Sequence, residues 1–341
     1  MKIKDVLERN LNDLPKFNRK HNASIYICKQ IENLKLNNFF PKQSENFFSN
    51  SYDVISKLNL TNDLTSADFF LVPHEWVDIY KEKSYVNYLK DLSSIAPIMI
   101  LNTGDRSPYC NLKNTIQLRT FLHPGEIQKN KIIIPYPVKK KEFALRAWRK
   151  SPTISFMGFV PSLGFGNLTT YNPKYFRYPW KSSYYLNRLI TVKKLSKMSN
   201  KFNIINVKRD SFTLRVKNVQ LERNIAEYEA SLKNSDYVVC PRGFANTSMR
   251  LYESLSSGAT PILVESGTAL PNLSNGNFWD QNLVHVKLFS NWSKTILEDW
   301  NSLETNGSYK KRQVENFETY EKELTFDQYI SHLLKNYMKK I

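Results

Sequence analysis

The sequence lacks any organised pattern of cysteines. Its 341 residues include three, Cys28, Cys110 and Cys240, and no two of them lie close together. This count and spacing exclude a disulfide-framed secreted scaffold and the paired-cysteine zinc sites. We therefore expect three ordinary buried thiols in a reducing compartment.

Long apolar runs are also missing. The first 22 residues are polar throughout, without an apolar stretch of signal-peptide length. Later apolar runs, such as residues 95–101, have only the length of a strand, whereas a membrane span needs about 20 apolar residues. We expect a soluble, cytoplasmic protein that can also lie peripherally at the inner membrane face.

Negative charge is scarce, because 49 Lys and Arg face 31 Asp and Glu, for a net charge of +18. Such an excess favours an anionic partner, which includes a sugar nucleotide, an acidic glycan, an anionic membrane surface and nucleic acid. Much of it consists of single lysines close to asparagines, which indicates a general surface composition. No zinc-finger, helix-turn-helix or RNP signature is present, so we expect no specific nucleic acid.

The sequence does contain a regular alternation of short apolar runs with longer polar and amphipathic stretches. Runs of this length are typical of buried parallel strands, and their alternation with helices predicts an α/β chain. The predicted strands cover residues 24–28, 67–72, 95–101, 131–134, 153–159, 202–207, 236–240 and 260–264. The predicted helices cover residues 76–92, 183–198, 225–233 and 247–257.

The length indicates two domains at roughly 150 residues each. A linker with Pro135, Pro137 and a run of three lysines separates the two α/β series. We predict Rossmann-like domains at residues 1–145 and 146–310, followed by a helical tail at residues 311–341.

Residues 235–264 form the segment with the clearest chemistry. They predict a strand, a loop that Gly243 helps to turn, a helix and another strand. The free amides and the positive end of the helix attract phosphate. The hydroxyls of Thr247 and Ser248 can donate to phosphate oxygens, and Arg242 adds a charge-assisted bond.

Arg250 and Glu253 lie one turn apart on that helix. Arg250 can also bind phosphate, and a carboxylate at Glu253 can accept from the two ribose hydroxyls, as in other nucleotide-binding α/β folds. The alternative is structural. The two side chains would then form an i,i+3 ion pair, and Ser248 would only cap the helix.

The complete pattern resembles the exostosin family of glycosyltransferases (glycosyltransferase family 47). The shared elements are CPRG at residues 240–243, SMRLYESL at 248–255 and GATPIL at 258–263, with weaker matches in ADFFLVP at 67–73, IIIPYP at 132–137 and ISFMG at 154–158. Their order and spacing agree over about residues 67–290.

This resemblance implies a GT-B fold, in which two Rossmann-like domains face a central cleft. The acceptor would bind the domain at residues 1–145, and the sugar nucleotide, linked to UDP or GDP, the domain at residues 146–310. It also implies inverting transfer to a glycan or lipid-linked glycan, in polysaccharide or lipopolysaccharide biosynthesis, with no cofactor and no essential metal. Two absences agree with it: the D-x-D motif of metal-dependent enzymes, and the additional glutamate of retaining enzymes, whose position holds Ala245.

Inverting transfer needs a base that deprotonates the acceptor hydroxyl. Asp105 is the first candidate, since it follows a predicted strand, although turn formation explains it equally well. His74 and Glu75 follow another strand and are the second candidates, and His123 is the third. A single histidine also serves often as a structural hydrogen-bonding group.

Two further residues follow strands of the second domain. We expect Arg209 to balance the charge of the leaving diphosphate in place of a metal, and a solvated basic pair with Lys208 is the alternative. Glu265 comes directly after the strand at residues 260–264, and we expect it to contact the donor sugar.

Two other functions compete with glycosyl transfer. One is a catalytically silent glycan- or nucleotide-binding protein on the same fold. The other is a basic nucleic-acid-binding protein, which only the net charge favours.

Overall fold

The computed structural model describes residues 24–31, 34, 59–103, 108–122, 130–160, 179–209, 219–243, 246–264 and 267–339. The chain forms two compact units. Unit 1 comprises Met1–Pro137, Thr268–Asn272 and Glu323–Ile341, and unit 2 comprises Val138–Gly267 and Leu273–Lys322.

Unit 1 contains a five-stranded parallel sheet whose strands follow one another in chain order. The strands are β1 (Ile25–Ile27), β2 (Phe69–Glu75), β3 (Ile98–Leu101), β4 (Thr115–Arg119) and β5 (Lys131–Ile133), and the helices α1 (Trp76–Ile79) and α2 (Lys83–Leu92) connect β2 to β3. All four residues of β3 are buried, as expected of a parallel strand that is covered on both faces.

Alternate residues of β2 and β3 point to opposite faces of this sheet and build two cores. Phe70 and Ile98 pack with Trp76 and the helices between the strands. Phe69 and Met99 pack on the other face with Phe326, Tyr329 and Ile330 of the last helix. The C-terminal helix therefore belongs to the core of unit 1, although it is far from that sheet in sequence.

Unit 2 contains a second five-stranded parallel sheet, with the strand order β10-β9-β8-β6-β7. Its strands are β6 (Thr153–Phe159), β7 (Asn203–Arg209), β8 (Tyr237–Cys240), β9 (Thr260–Val264) and β10 (Val284–Val286). The helices after β6 are α3 (Pro179–Met198), α4 (Val219–Asn234), α5 (Met249–Ser256), α6 (Phe278–Asn282), α7 (Trp292–Thr305) and α8 (Tyr309–Thr319), then a π-helical turn (Tyr320–Leu324) and α9 (Phe326–Lys339) in unit 1.

The strand order makes unit 2 doubly wound. The chain moves outward from β6 to β7 and then returns past β6 to β8, so the direction of winding reverses between β6 and β8. In sheets of this kind, ligands bind at the carboxyl ends of the two strands that flank the reversal. The predicted α/β architecture of two Rossmann-like units with parallel sheets is confirmed.

A buried carboxylate secures the base of the sheet in unit 2. Asp236, just before β8, accepts hydrogen bonds from the amide of Thr153 at 2.7 Å and from the hydroxyl of Tyr309 at 2.6 Å. The Nε atom of Arg146 lies 3.6 Å from the same carboxylate. These contacts join the starts of β6 and β8 to α8, so the relative position of the two strands is fixed at their amino ends.

All predicted strands are present, but β4 and β10 were not predicted. Three of the five buried residues of β4 are polar or charged, so it has no apolar run, and β10 has only three residues. The predicted helix at residues 76–92 is two helices, Trp76–Ile79 and Lys83–Leu92. In the described part of the chain, no helix is both long and apolar enough to cross a membrane.

Replacing Phe326 tests whether the C-terminal helix supports unit 1. We expect Phe326→Ala to cost about 3–5 kcal/mol of unfolding free energy, because a buried ring is lost from the core. Hydrogen exchange should accelerate in peptides from β2 and β3 and stay unchanged in β6 and β8. His332→Ala, at an exposed position of the same helix, is the control. Equal acceleration in both sheets would contradict the assignment of this helix to unit 1.

The three cysteines provide a second test. Burial raises the pKa of the Cys28 and Cys240 thiols to about 12 and that of Cys110 to about 11. Since the thiolate is the reactive form, we expect none of them to react quickly with a thiol reagent at pH 8 in the native protein. All three should react in denaturant. Absorbance of the chromophore that the reagent releases measures the number of reactive thiols in the native and in the denatured protein. One fast-reacting thiol in the native protein would contradict the burial of that cysteine.

Candidate functional site

The reversal point in unit 2 leaves the end of β6 without a strand partner on one side. β6 pairs with β8 only at Ile154↔Tyr237 and Ser155↔Val238, whereas it pairs with β7 as far as Phe159. β6 therefore continues past its ladder with β8, and other groups must satisfy its last carbonyls.

Helix α5 begins beside this end of β6, and its first turn is open to a ligand. Ser248 is the N-cap residue and has an extended backbone, yet its side chain makes no capping hydrogen bond. The amide of Gly243 donates to the carbonyl of Thr247 at 2.7 Å and closes the loop before the helix. The amide of Leu251 donates to the carbonyl of Ser248 at 3.1 Å. The amides before it, at the start of the helix, have no carbonyl one turn earlier in the helix to bind.

The hydroxyls of Thr247 and Ser248 are the unusual feature of this turn. Both residues are only 4% exposed, and neither hydroxyl has a hydrogen-bond partner among the residues that the structure describes. Buried polar groups are nearly always paired, because an unpaired one loses its hydration without compensation. Two such donors beside free amides at the positive end of a helix suit a phosphate group.

Arg250 connects α5 to β6. Its Nε and Nη2 atoms donate to the carbonyl of Met157 at 3.1 and 2.8 Å, and its guanidinium lies 5.4 Å from the centre of the Phe156 ring. Arg188 of α3 donates to the carbonyl of Phe159 at 2.8 Å. Two guanidinium groups thus hold the last carbonyls of β6. Arg188 could not be identified from the sequence, because it lies in an ordinary helical stretch without a motif.

Glu253 is 5% exposed and has partners that are distant in sequence. The hydroxyl of Tyr228 donates to its Oε2 atom at 2.5 Å, and Nζ of Lys141 lies 3.9 Å from its Oε1 atom. Burial and the charge of Glu253 hold the pKa of Tyr228 well above its ordinary value. Lys141 also pairs with Glu229 at 3.3 Å.

The structure therefore does not contain the alternative arrangement, in which Arg250 and Glu253 form an i,i+3 ion pair. In the described ion pairs of unit 2, Glu253 pairs with Lys141 and not with Arg250. The expected side-chain cap by Ser248 is also not formed. Neither Lys141 nor Tyr228 was predicted, because both contacts depend on the tertiary fold.

Arg242 and Arg209, the other two predicted donor-binding arginines, differ in their surroundings. Arg242 lies two residues after the end of β8, and its burial lowers the pKa of its guanidinium. Arg209, at the end of β7, donates to the carboxylate of Glu227 at 2.9 Å, and this bond in turn lowers the pKa of Glu227. The charge of Arg209 is thus already balanced within unit 2, which weakens its predicted role toward a diphosphate.

Two of the candidate bases lie at the carboxyl end of β2 in unit 1. His74 is fully buried, and its Nε2 atom accepts a hydrogen bond from the amide of Ile31 at 2.9 Å. Glu75 accepts from the amide and the hydroxyl of Thr103 at 3.1 and 2.8 Å. His74 therefore uses a ring nitrogen for a structural bond, whereas Glu75 presents an oriented carboxylate at the end of the sheet.

Asp105, His123 and Glu265 lie outside the described residues. Among the residues that are described, no group of three or more His, Cys, Asp or Glu is arranged to hold a metal ion. The expectation that transfer needs no metal stays a prediction.

Comparison with solved structures finds several weak likenesses. The GtfA/B complex is 12% identical, with 80% of this chain and 57% of that chain covered and a TM-score of 0.36. A glycosyltransferase from Rickettsia africae is 13% identical, with 80% and 77% covered and a TM-score of 0.41. WaaG, a glycosyltransferase involved in lipopolysaccharide biosynthesis, is 9% identical, with 97% and 93% covered and a TM-score of 0.33.

The chain spans little more than half of the length of the first two structures it matches, GtfA/B and TarM, at 57% of each. No curated protein sequence matches it.

One family model does match. It describes the RXYLT1 C-terminal domain and covers residues 166–338, which is half of the chain and includes α5 with its flanking motifs. That family is exostosin-like, in agreement with the motifs around residues 240–263. The chain therefore belongs to the family of the RXYLT1 C-terminal domain.

Proposed function

We propose that the protein is a glycosyltransferase that moves a sugar from a UDP- or GDP-linked donor to a hydroxyl group of a glycan or lipid-linked glycan. The observation that carries this proposal is the pair of buried hydroxyls at the start of α5, Thr247 and Ser248, which have no partner among the described residues. They lie at the reversal point of a doubly wound sheet, where such folds bind nucleotides.

The diphosphate of the donor binds at the first turn of α5. It accepts hydrogen bonds from the amides of that turn and from the hydroxyls of Thr247 and Ser248, and Arg242 adds positive charge beside it. Hydrogen bonds to a charged group contribute roughly 1.5–3 kcal/mol each. Two hydroxyls and the helix amides together therefore supply enough binding free energy to hold the diphosphate. The same hydrogen bonds stabilise the negative charge that the nucleoside diphosphate carries when it leaves.

Glu253 recognises the ribose. A carboxylate has about four positions that accept hydrogen bonds, so the bond from Tyr228 leaves room for the ribose hydroxyls. Tyr228 and Lys141 hold the carboxylate in one orientation.

Transfer inverts the configuration at the anomeric carbon of the sugar. A base takes the proton of the acceptor hydroxyl as that oxygen attacks the anomeric carbon, and the nucleoside diphosphate leaves. Among the described candidates, Glu75 suits this role best, because Thr103 orients its carboxylate. Membership of glycosyltransferase family 47, independence of metal, a role in polysaccharide or lipopolysaccharide synthesis and peripheral contact with an anionic membrane stay predictions.

Thermal stability with a panel of UDP- and GDP-sugars in the presence of EDTA tests the donor. A ligand at about 100 times its Kd stabilises by about 2.7 kcal/mol, so one donor should raise the Tm by several degrees and slowly release its nucleoside diphosphate. A response that appears only after a divalent cation is added would contradict metal independence. Unchanged stability with every donor, and with UDP and GDP themselves, would contradict the proposal.

Ser248→Ala tests the hydroxyl that carries the proposal. Because this hydroxyl makes no capping bond, we expect an unchanged Tm and a Kd for UDP or GDP that rises about tenfold or more. Ser256→Ala is the matched control on the same helix. Its hydroxyl donates to the carbonyl of Glu253 at 2.9 Å, so it should lose stability and keep its affinity. A Ser248→Ala protein that loses stability and keeps its affinity would show that the hydroxyl is structural.

Inorganic pyrophosphate separates the ribose from the diphosphate. We expect Glu253→Gln to weaken binding of UDP or GDP about tenfold and to leave pyrophosphate binding unchanged, whereas Ser248→Ala weakens both, as calorimetry can measure. Glu229→Gln is the control, because it also removes a carboxylate beside Lys141. Equal weakening of nucleotide and pyrophosphate by Glu253→Gln would contradict ribose recognition.

A further inference from the structure

Gly158 occupies a position where a glycine is costly. It lies inside β6 and pairs with Lys208 of β7. A glycine within a strand loses more conformational freedom than other residues do and packs no side chain. The positive-φ glycines in the described residues are Gly258, Gly267 and Gly307, so the backbone conformation of Gly158 does not require a glycine.

The space beside Gly158 explains the residue. A Cβ atom at this position would lie 2.2 Å from Nη2 and 3.2 Å from Cζ of Arg250. Real Cβ atoms do not approach other atoms this closely, so an alanine here displaces the guanidinium. Nη1 of Arg188 would lie at 3.7 Å, which is an ordinary contact.

Nη2 of Arg250, which a Cβ atom at residue 158 would approach most closely, also makes the shorter of the two hydrogen bonds to β6. Nη2 of Arg250 donates to the carbonyl of Met157 at 2.8 Å. The guanidinium thus occupies the space in which a Cβ atom of residue 158 would lie, and this is possible because residue 158 has no side chain. Arg250 stands in the first turn of α5, two residues after Ser248.

We propose that Gly158 and Arg250 form a positioning pair that fixes the start of α5 against the end of β6. The pair sets the distance between the hydroxyls of Thr247 and Ser248 and the strand, and so holds the phosphate-binding turn ready for its ligand. This role rests on the proposed function. It assigns to Arg250 a structural bond in place of a direct bond to phosphate, and it assigns a function to a glycine outside the donor segment.

Non-additivity is the signature of such a pair. Gly158→Ala forces the guanidinium off the carbonyl of Met157, and Arg250→Ala removes the guanidinium, so both variants reach the same state. Once residue 250 is alanine, the methyl group at residue 158 meets no obstacle. Sites in direct contact show coupling of this kind, whereas independent sites add.

The experiment measures the Kd of pyrophosphate and of UDP and GDP by calorimetry, and the Tm, for Gly158→Ala, Arg250→Ala and the double variant. We expect each single change to weaken binding at least tenfold and to lower the Tm by about 3 °C or more. The double variant should match Arg250→Ala within a factor of two in Kd. Gly276→Ala is the control, because a Cβ atom there meets nothing within 4 Å.

Arg250→Lys separates positioning from charge. Lysine keeps the positive charge but lacks the fork that holds the carbonyl of Met157 from two nitrogens. We expect it to weaken pyrophosphate binding nearly as much as Arg250→Ala does. Full affinity in Arg250→Lys would overturn the proposal, since charge alone would then suffice.

Additive effects of Gly158→Ala and Arg250→Ala on the Kd would also overturn the proposal. If the wild-type protein binds none of these probes, the proposed function fails, and the coupling in Tm still decides whether the two residues form a pair. If Gly158→Ala alone does not fold, a folded double variant supports the pair, and failure of both variants to fold overturns it.

Discussion

The candidate site depends on one backbone carbonyl. β6 extends beyond its ladder with β8, and the carbonyl of Met157 in this extension must find a donor outside the sheet. Arg250 supplies two, from the first turn of α5. The same two hydrogen bonds therefore satisfy the carbonyl at the end of β6 and fix the position of the start of α5. A change in either element moves the other, and with it the loop that Gly243 and Thr247 close.

Hydrogen-bond satisfaction distinguishes Asp236 from the two residues at the start of α5. Asp236 is as buried as the residues of the site, but two donors bind it at 2.6–2.7 Å and an arginine lies beside it. It needs nothing more. Thr247 and Ser248 are equally buried, and their hydroxyls lack any partner in the described chain. Other buried polar atoms of unit 2, such as Oγ1 of Thr191 and Nε1 of Trp300, also have no partner among the described residues. The proposed phosphate site therefore rests on the position of Thr247 and Ser248 at a helix start as well as on their unpaired hydroxyls.

Sequence reasoning located the fold class and the segment of the site because both depend on local patterns. Apolar runs marked the strands, and the cap and loop residues around 240–248 marked a helix start at the end of a strand. It missed β4, whose buried polar residues hide the strand, and it missed Arg188, Tyr228 and Lys141. Arg250 reaches Met157 across 93 residues of chain, and no local pattern contains that contact. The alternative in which Arg250 pairs with Glu253 rested on local proximity, whereas in the structure both side chains bind partners that are distant in sequence.

That exchange of partners has an electrostatic consequence. A guanidinium bound to a neutral carbonyl keeps its full positive charge, whereas one paired with a carboxylate is largely neutralised for any third group. Because Tyr228 and Lys141 bind Glu253, the guanidinium of Arg250 is left to bind the carbonyl of Met157. Tyr228 and Lys141 hold the carboxylate of Glu253 one helical turn away from Arg250. Arg250 and Glu253 thus keep separate partners one turn apart on α5, as the proposed order of phosphate and ribose along this helix requires.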